Sequence, residues 1–82
     1  MLRNMNTQKV KARIECNKNG FYTVYCDAEL PFGCFGEGRT ADAARMDFLN
    51  LFKAMRQDHM QRTGENVDVE FEFATELSRA MI

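Results

Sequence analysis

Leu30-Pro31-Phe32-Gly33-Cys34-Phe35-Gly36-Glu37-Gly38-Arg39-Thr40 runs straight into the helical pattern that opens at Ala41. Three of the five glycines and the single proline of the chain fall between Pro31 and Gly38. Such a cluster requires a tight turn, or a backbone that comes close to another backbone over a short distance. Thr40 then supplies a hydroxyl suited to capping the first helical N–H groups. From Ala41 to about Arg62 the residues Ala41, Ala44, Phe48, Leu51, Phe52, Met55 and His59 recur at three- and four-residue spacing. That stripe is expected to lie on a sheet. Gly64 follows as a natural C-terminal stop.

Upstream, Gln8 to Cys16 alternates cleanly, with Val10, Ala12, Ile14 and Cys16 on one face and Lys9, Lys11, Arg13 and Glu15 on the other. A period of two with one charged face predicts a half-buried strand. Asn17-Lys18-Asn19-Gly20 is a turn, because Asn-Gly tolerates the positive φ of tight hairpins. Phe21 to Ala28 is the returning strand, rich in aromatic and β-branched residues, and its inward face depends on the turn register. A short third strand is expected over Cys34 to Glu37. Downstream, Val67, Val69, Phe71 and Phe73 alternate with Asp68, Glu70 and Glu72, which predicts a strand over Val67 to Ala74. Residues 1–7 read as an arm and 75–82 as a tail of one domain.

This order, β-β-β-α-β, predicts an α+β fold with a mostly antiparallel sheet. A right-handed crossover through the helix brings the fourth strand beside the first and parallel to it, giving spatial order 3-2-1-4. Charge agrees, since the outer face of strand one is basic and that of strand four acidic, and opposed charges on neighbouring strands attract. The same pairing argues against a nucleic-acid patch at Lys9, Lys11 and Arg13.

With 82 residues there is room for one modest core, and self-association would help to stabilise it. A formal net charge of −1 gives no field that draws the protein to nucleic acid or anionic lipid. No run approaches a membrane span, and the N-terminus lacks the apolar stretch of a signal peptide. The three cysteines, Cys16, Cys26 and Cys34, form no CxxC pair. These features point to the cytoplasm and to free structural thiols, with no metal site and no cofactor.

Gly33-x-x-Gly36-x-Gly38 reverses the spacing of the dinucleotide-binding fingerprint and has no P-loop lysine. His59, the only histidine, lies far along the helix from any candidate nucleophile, so no catalytic residues are assigned. Two surfaces suggest partners. Met46, Leu49 and Met60 fall outside the main helical stripe, as scattered apolar residues or as a self-association surface. Asp27, Glu29 and Glu37 flank the Gly-rich stretch together with Phe32 and Phe35. An acidic rim around exposed rings suits a small basic protein, and the alternative is that both rings cap the core.

Asn19-Gly20-Phe21-Tyr22, the Leu30–Thr40 stretch and Ala44 together resemble the N-terminal domain of HicB-type antitoxins. Gly20, Leu30, Pro31, Gly33, Cys34, Gly38, Thr40 and Ala44 match that pattern, and the similarity covers roughly residues 8–74. The resemblance implies a partly RNase-H-like domain without nuclease residues. Such domains sequester a small basic RNA-cleaving toxin by covering its active face and assemble as dimers or larger. Phe32 is an extra residue in the bend, and Cys26-Asp27-Ala28 lacks the proline often found before it. The C-terminal DNA-binding module usual in the family is not expected after Ile82, nor is operator binding by this chain. An orphan oligomerising scaffold and an RNA-binding domain are the alternative functions.

Overall fold

The computed structural model describes residues 8–26 and 28–76. Gln8–Cys16 forms β1, Tyr22–Cys26 forms β2, Phe35–Gly38 forms β3, Ala41–Thr63 forms α1 and Val69–Glu76 forms β4. The sheet order is β3-β2-β1-β4, with β1 and β4 parallel and the other pairs antiparallel, so the expected α+β topology holds. Boundaries move at three strands. β2 is shorter than Phe21 to Ala28, β3 starts one residue late, and β4 is displaced toward the C-terminus. Thr75 and Glu76, assigned to the tail by pattern, pair with Ile14 and Glu15. The arm 1–7 and the tail residues 77–82 lie outside the described residues.

Hairpin geometry settles the face of β2. Gly20 takes φ 84°, and Asn17 Oδ1 accepts from the backbone N–H groups of Asn19 at 3.0 Å and Phe21 at 3.1 Å. With the loop so closed, Cys16 stands opposite Tyr22 and Ile14 opposite Val24. Tyr22, Val24 and Cys26 therefore share the inner face with Val10, Ala12 and Ile14, while Thr23 and Tyr25 face outward.

The glycine cluster works by close approach. Positive φ among the glycines is confined to Gly20 and Gly64. A Cβ on Gly36 would come within 2.5 Å of the Phe48 nitrogen and 2.6 Å of the Ala44 oxygen. One on Gly38 would meet Ala43 Cβ and Ala44 N at 2.8 Å. The first turns of α1 thus rest directly on the β3 backbone. Thr40 caps the helix as expected, its hydroxyl accepting from Ala43 N–H at 3.0 Å, and Gly64 ends it in the left-handed region at φ 82°.

Ala12, Ile14, Val24, Ala44 and Phe48 form the core. Around them the Phe48 ring meets Phe71 edge-on at 4.9 Å and Phe73 at 5.8 Å, and Phe52 meets Phe71 at 4.9 Å. Edge-to-face pairs of this kind add about 0.5–1.5 kcal/mol each beyond area burial. Leu51 departs from the expected stripe and stays 38% exposed, whereas Leu49 is half-buried against the core. The cause is helix placement. Asp47, on the Leu51 flank, accepts the Glu37 backbone N–H at 3.0 Å at the outer edge of β3, so that flank overhangs the sheet. Leu49's flank includes Arg45, which lies over Phe73 of β4. Between β1 and β4, Lys9 faces Glu70 and Lys11 faces Glu72, and Lys9 Nζ reaches Glu72 at 3.9 Å in solvent. An exposed pair of this kind contributes about 0–1 kcal/mol.

Gly36→Ala should destabilise the domain by about 3 kcal/mol, because backbone atoms of α1 cannot yield to the new methyl. Gly33 has nothing within 4 Å of its Cβ position, so Gly33→Ala should be nearly neutral. Urea unfolding of the two variants tests the contrast, and equal midpoints would refute the contact.

Candidate protein-binding face

The side of the sheet away from α1 carries the outward residues of all four strands. In β2 and β3, Tyr25 pairs with Phe35 and Thr23 with Glu37. In β1, Arg13 pairs with Tyr25 and Glu15 with Thr23. Two rows result, an aromatic one of Phe35, Tyr25 and Arg13 and a polar one of Glu37, Thr23 and Glu15. The Tyr25 and Phe35 rings meet edge-on at 6.0 Å, and the Arg13 guanidinium lies 5.3 Å from the Tyr25 centroid. Both rings remain in solvent, Tyr25 at 38% and Phe35 at 46%. Thr23 is buried between its acidic neighbours although no helix covers it.

The residues expected around the Gly-rich stretch are divided by the fold. Phe35 and Glu37 sit together on this open face, as their period-two spacing along β3 requires. Phe32 turns the other way, packing on Phe52 at 5.7 Å and on His59 at 5.8 Å, so it caps the core while Phe35 does not. Glu29 is exposed beside the cleft walled by Leu30 and Pro31. Asp27 lies outside the described residues. Arg13, expected on the charged outer face of strand one, joins the face beside Tyr25, which was not singled out because β2 is apolar on both sides and only the hairpin register shows which ring faces outward.

Met46 and Met60 are each 48% exposed on α1. Fourteen positions separate them, or about 21 Å along a helix, so they do not form one patch with Leu49.

His59 and Cys34 lie on the helix side of the sheet, away from this face. His59 is 9% exposed, with Nε2 2.9 Å from Glu65 Oε1 and the Phe32 ring beside it. The Cys34 thiol donates to the Phe48 carbonyl at 3.6 Å. Burial pushes its pKa up from 9.0 to about 11, a backbone hydrogen bond at Phe35 pulling the other way and the nearby Cys26 adding to the rise. An activated thiol shows the opposite shift. Among the described residues no group of three or more His, Cys, Asp or Glu side chains is placed to hold a metal ion, and no helix is long and apolar enough to cross a membrane.

The Cys34 shift has a consequence for stability. An unfolded thiol releases its proton near pH 9 while the folded one holds it to about pH 11, so stability should fall as pH rises through that window. Cys34→Ala should flatten this part of the slope of urea midpoint against pH, and slopes identical to the wild type would show that the thiol contributes nothing. Comparison with protein-family models, curated proteins and solved structures finds no match to this chain.

Proposed function

We propose that this chain is a non-catalytic, cytoplasmic protein-binding module of the HicB-antitoxin kind, sequestering a small basic RNA-cleaving toxin by covering its active face. The observation that carries this reading is the pair of solvent-exposed rings, Tyr25 and Phe35, beside Glu37 on the uncovered side of the sheet. Exposed rings held edge-on supply area to bury at low entropic cost, and interface energy concentrates on such anchors. Glu37 beside them, with Glu29 on the neighbouring loop, would steer a basic partner and set its orientation. The resemblance in the Gly-rich stretch supports the HicB-type reading, and His59, held by Glu65 and Phe32 on the helix side, is no part of this face. Self-association, which the resemblance also implies, would involve Met46 and Met60 as separate contacts.

A second reading has one specific observation in its favour. Lys9, Lys11 and Arg13 lie on the same face as Tyr25 and Phe35, and rings flanked by cations can stack unpaired bases. Against it, Lys9 pairs with Glu72 and Arg13 with Glu15, and the net charge is −1. RNA binding would show a steep loss of affinity with salt.

Affinity capture from the native host, followed by co-expression with the captured protein, tests the proposal. A small basic ribonuclease should be recovered, and this chain should relieve the growth arrest that the nuclease causes. The double variant Tyr25→Ser/Phe35→Ser should keep its helical circular dichroism and lose at least about 100-fold in affinity, roughly 2.7 kcal/mol. Full binding by that variant would move the interface elsewhere, and failure to relieve arrest would remove the antitoxin reading. A salt-sensitive shift of single-stranded RNA would favour the second reading.

A further inference from the structure

The β2–β3 ladder ends at Tyr25 opposite Phe35; continued by one residue, its register sets Cys26, the last residue of β2, opposite Cys34, which immediately precedes β3. Both are half-buried, both pack against the core side of the sheet, and both wall the cleft formed by the 28–34 loop. Opposed residues of an antiparallel pair have Cα atoms about 4.5–5.5 Å apart, and disulfides span about 4.4–6.8 Å. Cys16 is excluded from this pairing. Cys26 faces Ala12, and Cys16 lies four residues farther along β1, about 13 Å away.

We infer that Cys26 and Cys34 are a reversible dithiol–disulfide pair, closed by thiol–disulfide exchange with a small oxidised thiol such as glutathione disulfide. In the first step the Cys26 thiolate attacks one sulfur of the oxidant, forming a mixed disulfide and expelling one glutathione thiolate. In the second, Cys34 gives its proton to solvent and attacks the Cys26 sulfur, forming the cross-strand bond and expelling the second glutathione. Two protein thiols are oxidised by two electrons, and one glutathione disulfide is reduced to two thiols. Burial of Cys34 and its hydrogen bond to the Phe48 carbonyl retard the second step, so closure should accelerate as pH rises toward about 11.

The bond would tie the ends of the 27–33 connection and restrict the unfolded chain. Cys26 and Cys34 are also the chain neighbours of Tyr25 and Phe35, so closure fixes the spacing of the two exposed rings on the opposite face.

The experiment equilibrates the purified, reduced chain with graded ratios of reduced and oxidised glutathione, then quenches with acid and alkylates. Intact mass should show loss of two hydrogens, peptide mapping should join Cys26 to Cys34, and Cys16 should remain alkylatable. Cys16→Ser should oxidise like the wild type, and the oxidised form should melt several degrees above the reduced one. Cys26→Ser should stop at glutathione adducts. Mixed disulfides without an internal link in the wild type, or a link that uses Cys16, would overturn the assignment.

Discussion

The fold depends on one backbone-to-backbone contact, between Gly36 and Gly38 of β3 and the turn of α1 that runs from Ala43 to Phe48. Side chains ordinarily hold a helix about 10 Å above a sheet. Here two glycines and two alanines remove that spacer, and the start of the helix sinks onto the edge strand. Three consequences follow from this placement. Phe48 is driven fully into the centre, against Val24 and Ile14. Asp47 arrives where it can accept the outward N–H of Glu37, which blocks an edge otherwise open to pairing with another chain. The Leu51 flank is left beyond the sheet in solvent.

At the other end of the helix the spacing is filled by rings. Phe32, Phe52 and Phe71 join Phe48 and Phe73 in a continuous set of tilted and edge-on contacts, with the imidazole of His59 at its margin. The helix therefore descends toward β3 on small residues and is propped over β4 by large ones. The aliphatic core of Ala12, Ile14, Val24 and Ala44 accordingly lies under the low side of this wedge, with Phe48 at its boundary with the rings. The His59 ring extends the aromatic layer beside Phe32, while Nε2 turns to Glu65 at the rim.

Elements and topology were legible because each strand and the helix carries its own period, and because a right-handed crossover leaves one place for the last strand. The glycine cluster announced either a tight turn or a close approach; Gly36 and Gly38 make the approach, and neither the choice nor its target on α1 was visible in the residues. Leu51 shows the limit of helical periodicity: the stripe gives a direction, while burial depends on how far the sheet extends beneath it. β2 shows another limit. Tyr22, Val24 and Tyr25 offer an apolar residue to either face, so only the loop closed by Asn17 determines that Tyr25 is presented to solvent. Phe32 and Phe35, three residues apart in one loop-to-strand segment, went to opposite sides because the strand begins between them.

The parallel pairing of β1 with β4 has a further consequence for how the domain is made. Among the described elements β1 leaves the ribosome before the rest, and β4, which covers its flank and brings Phe71 and Phe73 to the core, leaves after them. Val10, Ala12 and Ile14 must therefore wait through synthesis of the helix before the central strand gains its second neighbour. A nascent chain in that interval exposes one unpaired edge of β1, so the vulnerable period of this protein falls during its own translation.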